Sequence, residues 1–494
     1  MIKKLKKIKI KYDAIPVQVR ASFWFLICSF LQRGISVITT PIFTRLMSTQ
    51  EYGEYGTFNS WLDIVSIFVT FHMYAGVFLQ GLVKYEDDRK RYASSIQCLS
   101  LTLCLTWTFI YLISKSFWNS LFGLTTVQML AMMVMIWATG VFSFWASEQR
   151  VLYRYRILVL VTLLVSILKP ALGIFLVLHA EDKVTARILG LAIAELIGYT
   201  SLFFAQVFRG KQFYSGKYWK HALVLSIPLI PHYLSQTVLN SSDRIMIRNM
   251  VGASEAGIYT LAYSISKIMT LFNSALGQTL NPWYYQKIKA DKTEDISSVA
   301  YPALVGIAGV NIALIAFAPE VVAIFATKEY QNAIWVIPPV AMSVYFSFAY
   351  NMFSAFEFYF EKTGFIMIAS VLAATCNVGL NYVFIRILGY YAAGYTTLFC
   401  FMAYTIGHYY FMRRICKEFL PGRKPFDLKI LLGITGGFLL LGFCFLLSYT
   451  HTIIRLVFIF ALILVIFINR NAITKSIVTF LDIRGKRKKQ VRKE

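Results

Sequence analysis

The sequence predicts an all-α integral membrane protein of about 14 transmembrane helices, arranged as two six-helix lobes related by a parallel repeat plus two C-terminal helices. Three observations carry that expectation. The chain of 494 residues is 57% hydrophobic and only 15% charged, against about 25% charged in soluble domains. Its apolar windows, at roughly 20 residues per membrane crossing, leave little chain for anything else. Finally, the stretch Asn240 to Lys267 is echoed near the N-terminus: a shift of 204 positions superposes Glu51 on Glu255, Gly53 on Gly257, Tyr55 on Tyr259, Ser60 on Ser264, Ile64 on Ile268 and Phe68 on Phe272. The same order of span, short polar turn and span surrounds both copies, which marks an internal repeat.

The N-terminal 20 residues hold seven Lys or Arg ahead of an apolar run that is too long for a signal peptide and lacks a small-residue cleavage site, so they read as a start anchor. From there the windows place spans at 22–44, 57–82, 92–113, 127–148, 157–178, 187–208, 222–246, 256–280, 297–318, 332–357, 364–387, 391–412, 429–449 and 452–469. The corresponding organisation is a basic tail (1–21), an N-lobe of spans 1–6 (22–210), a linker (211–221), a C-lobe of spans 7–12 (222–413), a basic linker (414–428), spans 13–14 (429–469) and a second basic tail (470–494).

The formal net charge of +25 raises nucleic acid as a partner, but its placement argues otherwise. Of the 49 Lys and Arg, 37 fall in the tails and alternate loops on one side of the predicted membrane. That is the positive-inside pattern of an inner (plasma) membrane protein with both termini cytoplasmic, whereas nucleic acid requires basic residues gathered on one folded face. Seven cysteines lie scattered mostly in apolar runs without a CxxC pair, and six histidines show no HxxxH or HExxH spacing. No metal site and no cofactor are expected.

Proline falls inside spans 1 (Pro41), 5 (Pro170), 7 (Pro228, Pro231) and 10 (Pro338, Pro339). Each removes a backbone donor and bends its helix, either as a static kink or as a pivot for two rocking lobes. The stretch RRICKEFLPGRKPFDLK reads as a positive-inside loop or as a basic amphipathic linker on anionic lipid.

Two stretches resemble a known family. SIPLIPHYLSQTVLNSSDRIMIRNMVGASEAGIYTLAYSI resembles the seventh-to-eighth-span region of Wzx-type polysaccharide flippases, and FLQRGISVITTPIFTRLMSTQEYGEYGTF resembles their first span. These proteins belong to the superfamily of multidrug, oligosaccharidyl-lipid and polysaccharide exporters. The resemblance implies a flippase that moves an undecaprenyl-diphosphate-linked oligosaccharide (an O-antigen or capsule repeat unit) from the inner to the outer leaflet by alternating access. Its implied partners are that lipid-linked sugar, membrane lipids and other polysaccharide-assembly proteins.

Independently of the family, an ionisable side chain at membrane depth costs about 2.5 to 3.5 kcal/mol on insertion scales and normally faces a cavity or a partner. The deep cations Arg33, Lys169 and Lys267 are therefore candidates to bind the diphosphate. The alternative is that they neutralise buried carboxylates. Asp63, Glu195 and Glu357 are candidates for ion coupling, and Arg244 and Arg248 read as solvated residues near the outer end of span 7. Asp63 and Lys267 are equivalent in the repeat, which allows an interlobe pair in one conformation or unrelated partners for each. A cation-coupled multidrug antiporter is the competing function, yet span 1 holds Arg33 and no acid. A membrane polymerase or other enzyme would need a sizeable extramembrane loop bearing acid and base groups, and the outward connections here are short.

Overall fold

The computed structural model describes residues 16–362 and 364–470, so the two basic tails lie almost wholly outside it. Every described element is helical. The chain forms two compact units, residues 1–241 and 242–494. This division falls inside span 7 rather than at the 211–221 linker expected from the sequence.

In the first unit the helices are α1 (Val17–Leu46), α2 (Thr49–Thr70), α3 (Val77–Lys84), α4 (Arg89–Ile113), α5 (Lys115–Phe122), α6 (Thr126–Val151), α7 (Tyr155–His179), α8 (Lys183–Gly210) and α9 (Gly216–Ser226). Helix α10 (Ile230–Met250) crosses into the second unit, which continues with α11 (Ala253–Lys267), α12 (Thr270–Lys289), α13 (Asp295–Ala316), α14 (Ala318–Phe325), α15 (Ile337–Tyr359), α16 (Gly364–Leu388), α17 (Tyr391–Phe419), α18 (Leu428–Leu447) and α19 (Thr452–Ile468).

Counting α2 with α3, α9 with α10 and α11 with α12 as single crossings, and leaving out the short α5 and α14, these helices coincide with the 14 expected spans. Nine crossings among the described residues are individually long and apolar enough to span a bilayer, and α15 joins them with the bent 3-10 segment before it. The other four have physical reasons to fall short: two are interrupted, α17 is rich in Tyr and Thr, and α19 has 17 residues.

The repeat is sharper in structure than in sequence. Helix α2 begins at Thr49 and α11 at Ala253, 204 positions apart, and the short helices α5 and α14 begin at Lys115 and Ala318, 203 apart. At the start of α2, Ser48 and Glu51 form a reciprocal capping box, which satisfies two otherwise orphaned backbone donors. In α11 the cap position is Gly252, and a Cβ there would meet Glu255 Oε2 at 2.5 Å. Glu255 thus reaches back over its helix end as Glu51 does.

Both second spans are broken. After Thr70 the chain passes through Phe71 (φ 47°) and His72 (φ 50°), both left-handed, and a 3-10 turn before α3 resumes. Left-handed backbone on two bulky residues is strained and persists only where surrounding structure holds it. Helix α11 ends at Lys267, with α12 starting at Thr270. The prolines behave differently from one another. Pro41 and Pro170 sit inside unbroken helices, Pro228 lies in a 3-10 turn ahead of α10, and Pro231 occupies its first turn. Pro338 and Pro339 start α15 rather than kinking it, because a helix's first turn has no use for their missing N–H groups.

Close backbone approach fixes the α7–α8 pair. A Cβ on Gly190 would lie 2.7 Å from the Gly173 Cα, and one on Gly198 would lie 2.4 Å from a Val165 methyl. Small residues at such seams let membrane helices gain dispersion contact where burial from water gives little.

In the second unit the linker before α18 is pinned. Arg423 reaches Asp291 and Glu294, each at 2.9 Å, and the Asp427 N–H donates to the Tyr301 hydroxyl at 2.6 Å. The two carboxylates hold the Arg423 guanidinium above its already high ordinary pKa.

Candidate functional site

In the first unit, the α7–α8 contact brings Lys169 Nζ to 2.5 Å from Glu195 Oε1, with Lys169 29% exposed and Glu195 4%. Thr139 on α6 donates to the other carboxylate oxygen at 3.2 Å. A residue proposed for substrate and one proposed for ion coupling are thus each other's partners, the neutralising alternative weighed for Lys169. Arg33 stands apart: it is exposed on α1 and makes no ion pair or hydrogen bond among the described residues.

Asp63 is exposed on α2 and accepts a hydrogen bond from Ser241 Oγ at 3.1 Å. It lies two turns before the α2 break, where His72 packs against Tyr74 and Tyr233 at ring-centroid distances of 4.7 and 4.5 Å. A buried chain of polar side chains also crosses this unit: Gln97 donates to Gln206 at 2.6 Å, Gln206 donates to Glu148 at 2.7 Å, and Arg209 lies 3.5 Å from Glu148. Charge-assisted bonds of this kind are the stronger ones in a low-dielectric interior.

The second unit is built around Asp243, which is 1% exposed on α10. It accepts from the Tyr259 hydroxyl at 2.6 Å, Asn381 Nδ2 at 2.6 Å and Thr397 Oγ1 at 3.0 Å. Asn377 donates to Thr397, and Thr396 donates to Asn381. Four helices (α10, α11, α16, α17) therefore converge on one carboxylate through hydroxyl and amide groups. These three donors satisfy the carboxylate in the interior, where an unpaired charge is costly.

Next to this carboxylate lies a cationic cluster. Arg244 Cζ is 4.8 Å and Lys267 Nζ 4.9 Å from the centroid of the Tyr263 ring, both within cation–π range. Tyr263 in turn stacks on Tyr259 at 6.1 Å. Arg244 thus belongs with Lys267 in the packed interior, not with solvated end residues as its position in span 7 suggested.

Glu357, the remaining coupling candidate, meets His408 at 2.6 Å, with both side chains fully buried. Among the described residues no group of three or more His, Cys, Asp or Glu side chains could hold a metal ion.

With this geometry in hand, comparison with known proteins is informative. A family model described as polysaccharide biosynthesis protein matches residues 19–288, more than half of the chain. The chain belongs to that family. A relative in Haemophilus influenzae, described as Lsg locus putative protein 1, is 25% identical over 119 residues, which is 23% of this chain and 30% of the relative's length. Among solved structures, a lipid II flippase MurJ in an inward closed conformation superposes with TM-score 0.66 at 14% identity, covering 90% of this chain and 99% of its own. An inward-facing multidrug resistance MATE transporter of the MOP superfamily gives TM-score 0.62 at 15% identity, covering 79% and 96%. At those identities the likeness concerns the fold alone.

For this member of the polysaccharide biosynthesis family, sequence reasoning missed Asp243 and the Glu148 chain. The signal for Asp243 was present: Asn377 and Asn381 share a helix face at i and i+4 in an otherwise apolar span, and Thr396 and Thr397 follow one span later. Such polar groups on neighbouring spans need a common partner, and Asp243 is the buried acid that supplies it.

Proposed function

We propose that this protein is a flippase that carries an undecaprenyl-diphosphate-linked oligosaccharide from the inner to the outer leaflet of the bacterial plasma membrane by alternating access. The observation that carries the reading is the Arg244–Tyr263–Lys267 cluster in a chain whose family acts in polysaccharide biosynthesis. A diphosphate in a low-dielectric cavity requires cations, and the Arg fork binds phosphate oxygens bidentately. Lys267 keeps its proposed substrate role and gains Arg244 as a companion, and Arg33 is the proposed substrate cation of the first unit. Lys169 contributes through its pair with Glu195, which sets the charge of the α7–α8 seam. The reading makes the protein a transporter rather than an enzyme.

Energy for net export has two sources in this reading. A diphosphate leaving a negative interior gains about 2.3 kcal/mol per charge per 100 mV if its charge crosses the field. Ion exchange adds to it through Asp243, with Asp63 as a second carboxylate beside the broken α2.

A cation-coupled drug antiporter is the second reading, favoured by the MATE likeness in fold. The cationic cluster argues against it, since a cationic drug is repelled where an anionic diphosphate is held. The deciding experiment deletes the gene and analyses inner-leaflet lipids. Accumulation of an undecaprenyl-diphosphate oligosaccharide, reversed by the wild-type chain, supports the flippase. Unchanged lipid-linked sugars with new sensitivity to cationic drugs would transfer the assignment to the antiporter.

A further inference from the structure

Glu357, near the end of α15, and His408, on α17, meet through Glu357 Oε1 and His408 Nδ1 at 2.6 Å. Their other polar atoms, Glu357 Oε2 and His408 Nε2, are buried without a hydrogen-bond partner. Buried polar groups are almost always satisfied, so two orphans on one pair call for an explanation. The surroundings are aromatic: ring centroids of Tyr404, Phe365 and Tyr350 lie 4.4, 5.4 and 5.5 Å from the His408 ring. The titratable groups facing the pair are thus the phenols of Tyr350 on α15 and Tyr404 on α17, while α16 presents Phe365. From α12, Tyr285 packs on Tyr359. The nearest charges along the chain, Glu361, Lys362, Arg413 and Arg414, are all exposed, and Lys362 pairs with Glu418 at 3.5 Å. His408 is the one charged partner of Glu357 among the described residues.

Phe365 occupies the first turn of α16, stacks on Phe411 at 4.2 Å and is only half-buried. It also packs edge-on against the His408 ring.

We propose that Glu357 and His408 form a proton-binding site gated by Phe365. While the ring is in place the dyad holds one proton; when α16 shifts off α17, water enters, satisfies the two orphaned atoms and exchanges that proton. The charge arithmetic follows from burial. One shared proton leaves the pair neutral whichever residue carries it. Removing it leaves an uncompensated anion and adding one leaves a cation, and both are costly in a dry site.

Opened to water, the pair is relieved of the burial cost of a lone charge and releases its proton more readily than the closed pair does. Closing therefore takes up a proton, and the closed population falls as pH rises. The inference does not depend on the identity of the cargo.

The test uses the full chain in lipid nanodiscs, with Cys376 and Cys444 replaced by Ser because they are the cysteines that are not buried. Nitroxides at Ile368 on α16 and Lys417 on α17, both exposed, report the separation of the two helices by pulsed electron resonance. In this background the ratio of short to long distances should fall as pH rises, by up to about tenfold per pH unit for one proton. Glu357→Gln should abolish that fall, since the closed site then has no carboxylate to share a proton with His408. His408→Gln should move the onset to lower pH, because the opened site then releases its proton from a carboxyl alone. Phe365→Ala should flatten the profile by hydrating the dyad in both states, and it covers the case in which Glu357→Gln fails to fold. A pH-independent ratio in the unmutated dyad, or a response left intact by Glu357→Gln or Phe365→Ala, overturns the proposal.

Discussion

Lys169 Nζ lies 2.5 Å from Glu195 Oε1 across the glycine-lined seam of α7 and α8, and Thr139 holds the second carboxylate oxygen. Removing either charge alone leaves the other at membrane depth. A broken buried pair costs about 3 to 5 kcal/mol, and the 29% exposure of Lys169 places this one at the low end. Lys169→Met and Glu195→Gln should each lower the Tm and membrane abundance, and the double variant should recover most of both. Additive losses in a double-mutant cycle would show that the contact carries no coupling energy.

Arg33 is the contrasting cation, exposed on α1 and without an ion pair among the described residues. Arg33→Ala should abolish surface polysaccharide while leaving abundance intact, and Arg33→Lys should retain part of the export where charge matters more than the bidentate fork. Export by the alanine variant at the wild-type rate removes Arg33 from the substrate path.

Asp243 accepts three side-chain hydrogen bonds. Asp243→Asn keeps the size and still accepts from Tyr259 or Thr397, but loses the charge and opposes its own amide to that of Asn381. Transport in proteoliposomes should lose at least tenfold of its stimulation by an imposed ion or proton gradient, while gradient-free exchange persists. Gradient stimulation that survives the substitution places coupling elsewhere.

Asp63 and Lys267 are equivalent positions of the repeat, and a double-mutant cycle tests whether their charges are coupled. Asp63→Asn and Lys267→Gln should each impair cycling, and the double variant should recover abundance and cycling, with transport still low where Lys267 is also the proposed diphosphate ligand. Strictly additive losses in abundance and cycling would mean that the two never pair.

The charge count predicts that both termini are cytoplasmic, since 37 of the 49 basic residues fall on one side of the predicted membrane. A reporter fused after Glu494 should be active only if it functions in the cytoplasm. Activity of a periplasm-dependent reporter at that position would reverse the topology.

Hydrophobic periodicity and loop charge were enough to place the spans, because membrane insertion is decided by long apolar windows that any 20-residue stretch displays locally. The breaks escaped notice for the complementary reason. Phe71 and His72 look like ordinary span residues, and their left-handed backbone is imposed by packing, not by a glycine or proline that a reader could see. Partnerships were less legible still. Lys169 and Glu195 are 26 positions apart and become neighbours only because Gly173, Gly190 and Gly198 let two helices touch. Asp243 was overlooked because its adjacent arginines drew attention to solvent, whereas three donors from α11, α16 and α17 turn its carboxylate inward.

The appended hairpin of α18 and α19 is fastened at both ends and along its length. Arg423 grips Asp291 and Glu294 below α18. Tyr345 stacks on Phe438 at 4.2 Å and bonds Thr435, Tyr449 donates to the Ile315 carbonyl, and Arg455 pairs with Glu320. Those anchors sit on α13, α14 and α15, so the hairpin has no independent hinge and rides on the second unit as a rigid outrigger. Its outer face, with Leu447, Ile453 and Phe460 at 68% exposure or more, is therefore a place to mount a fluorophore or a nanobody epitope that follows the second unit.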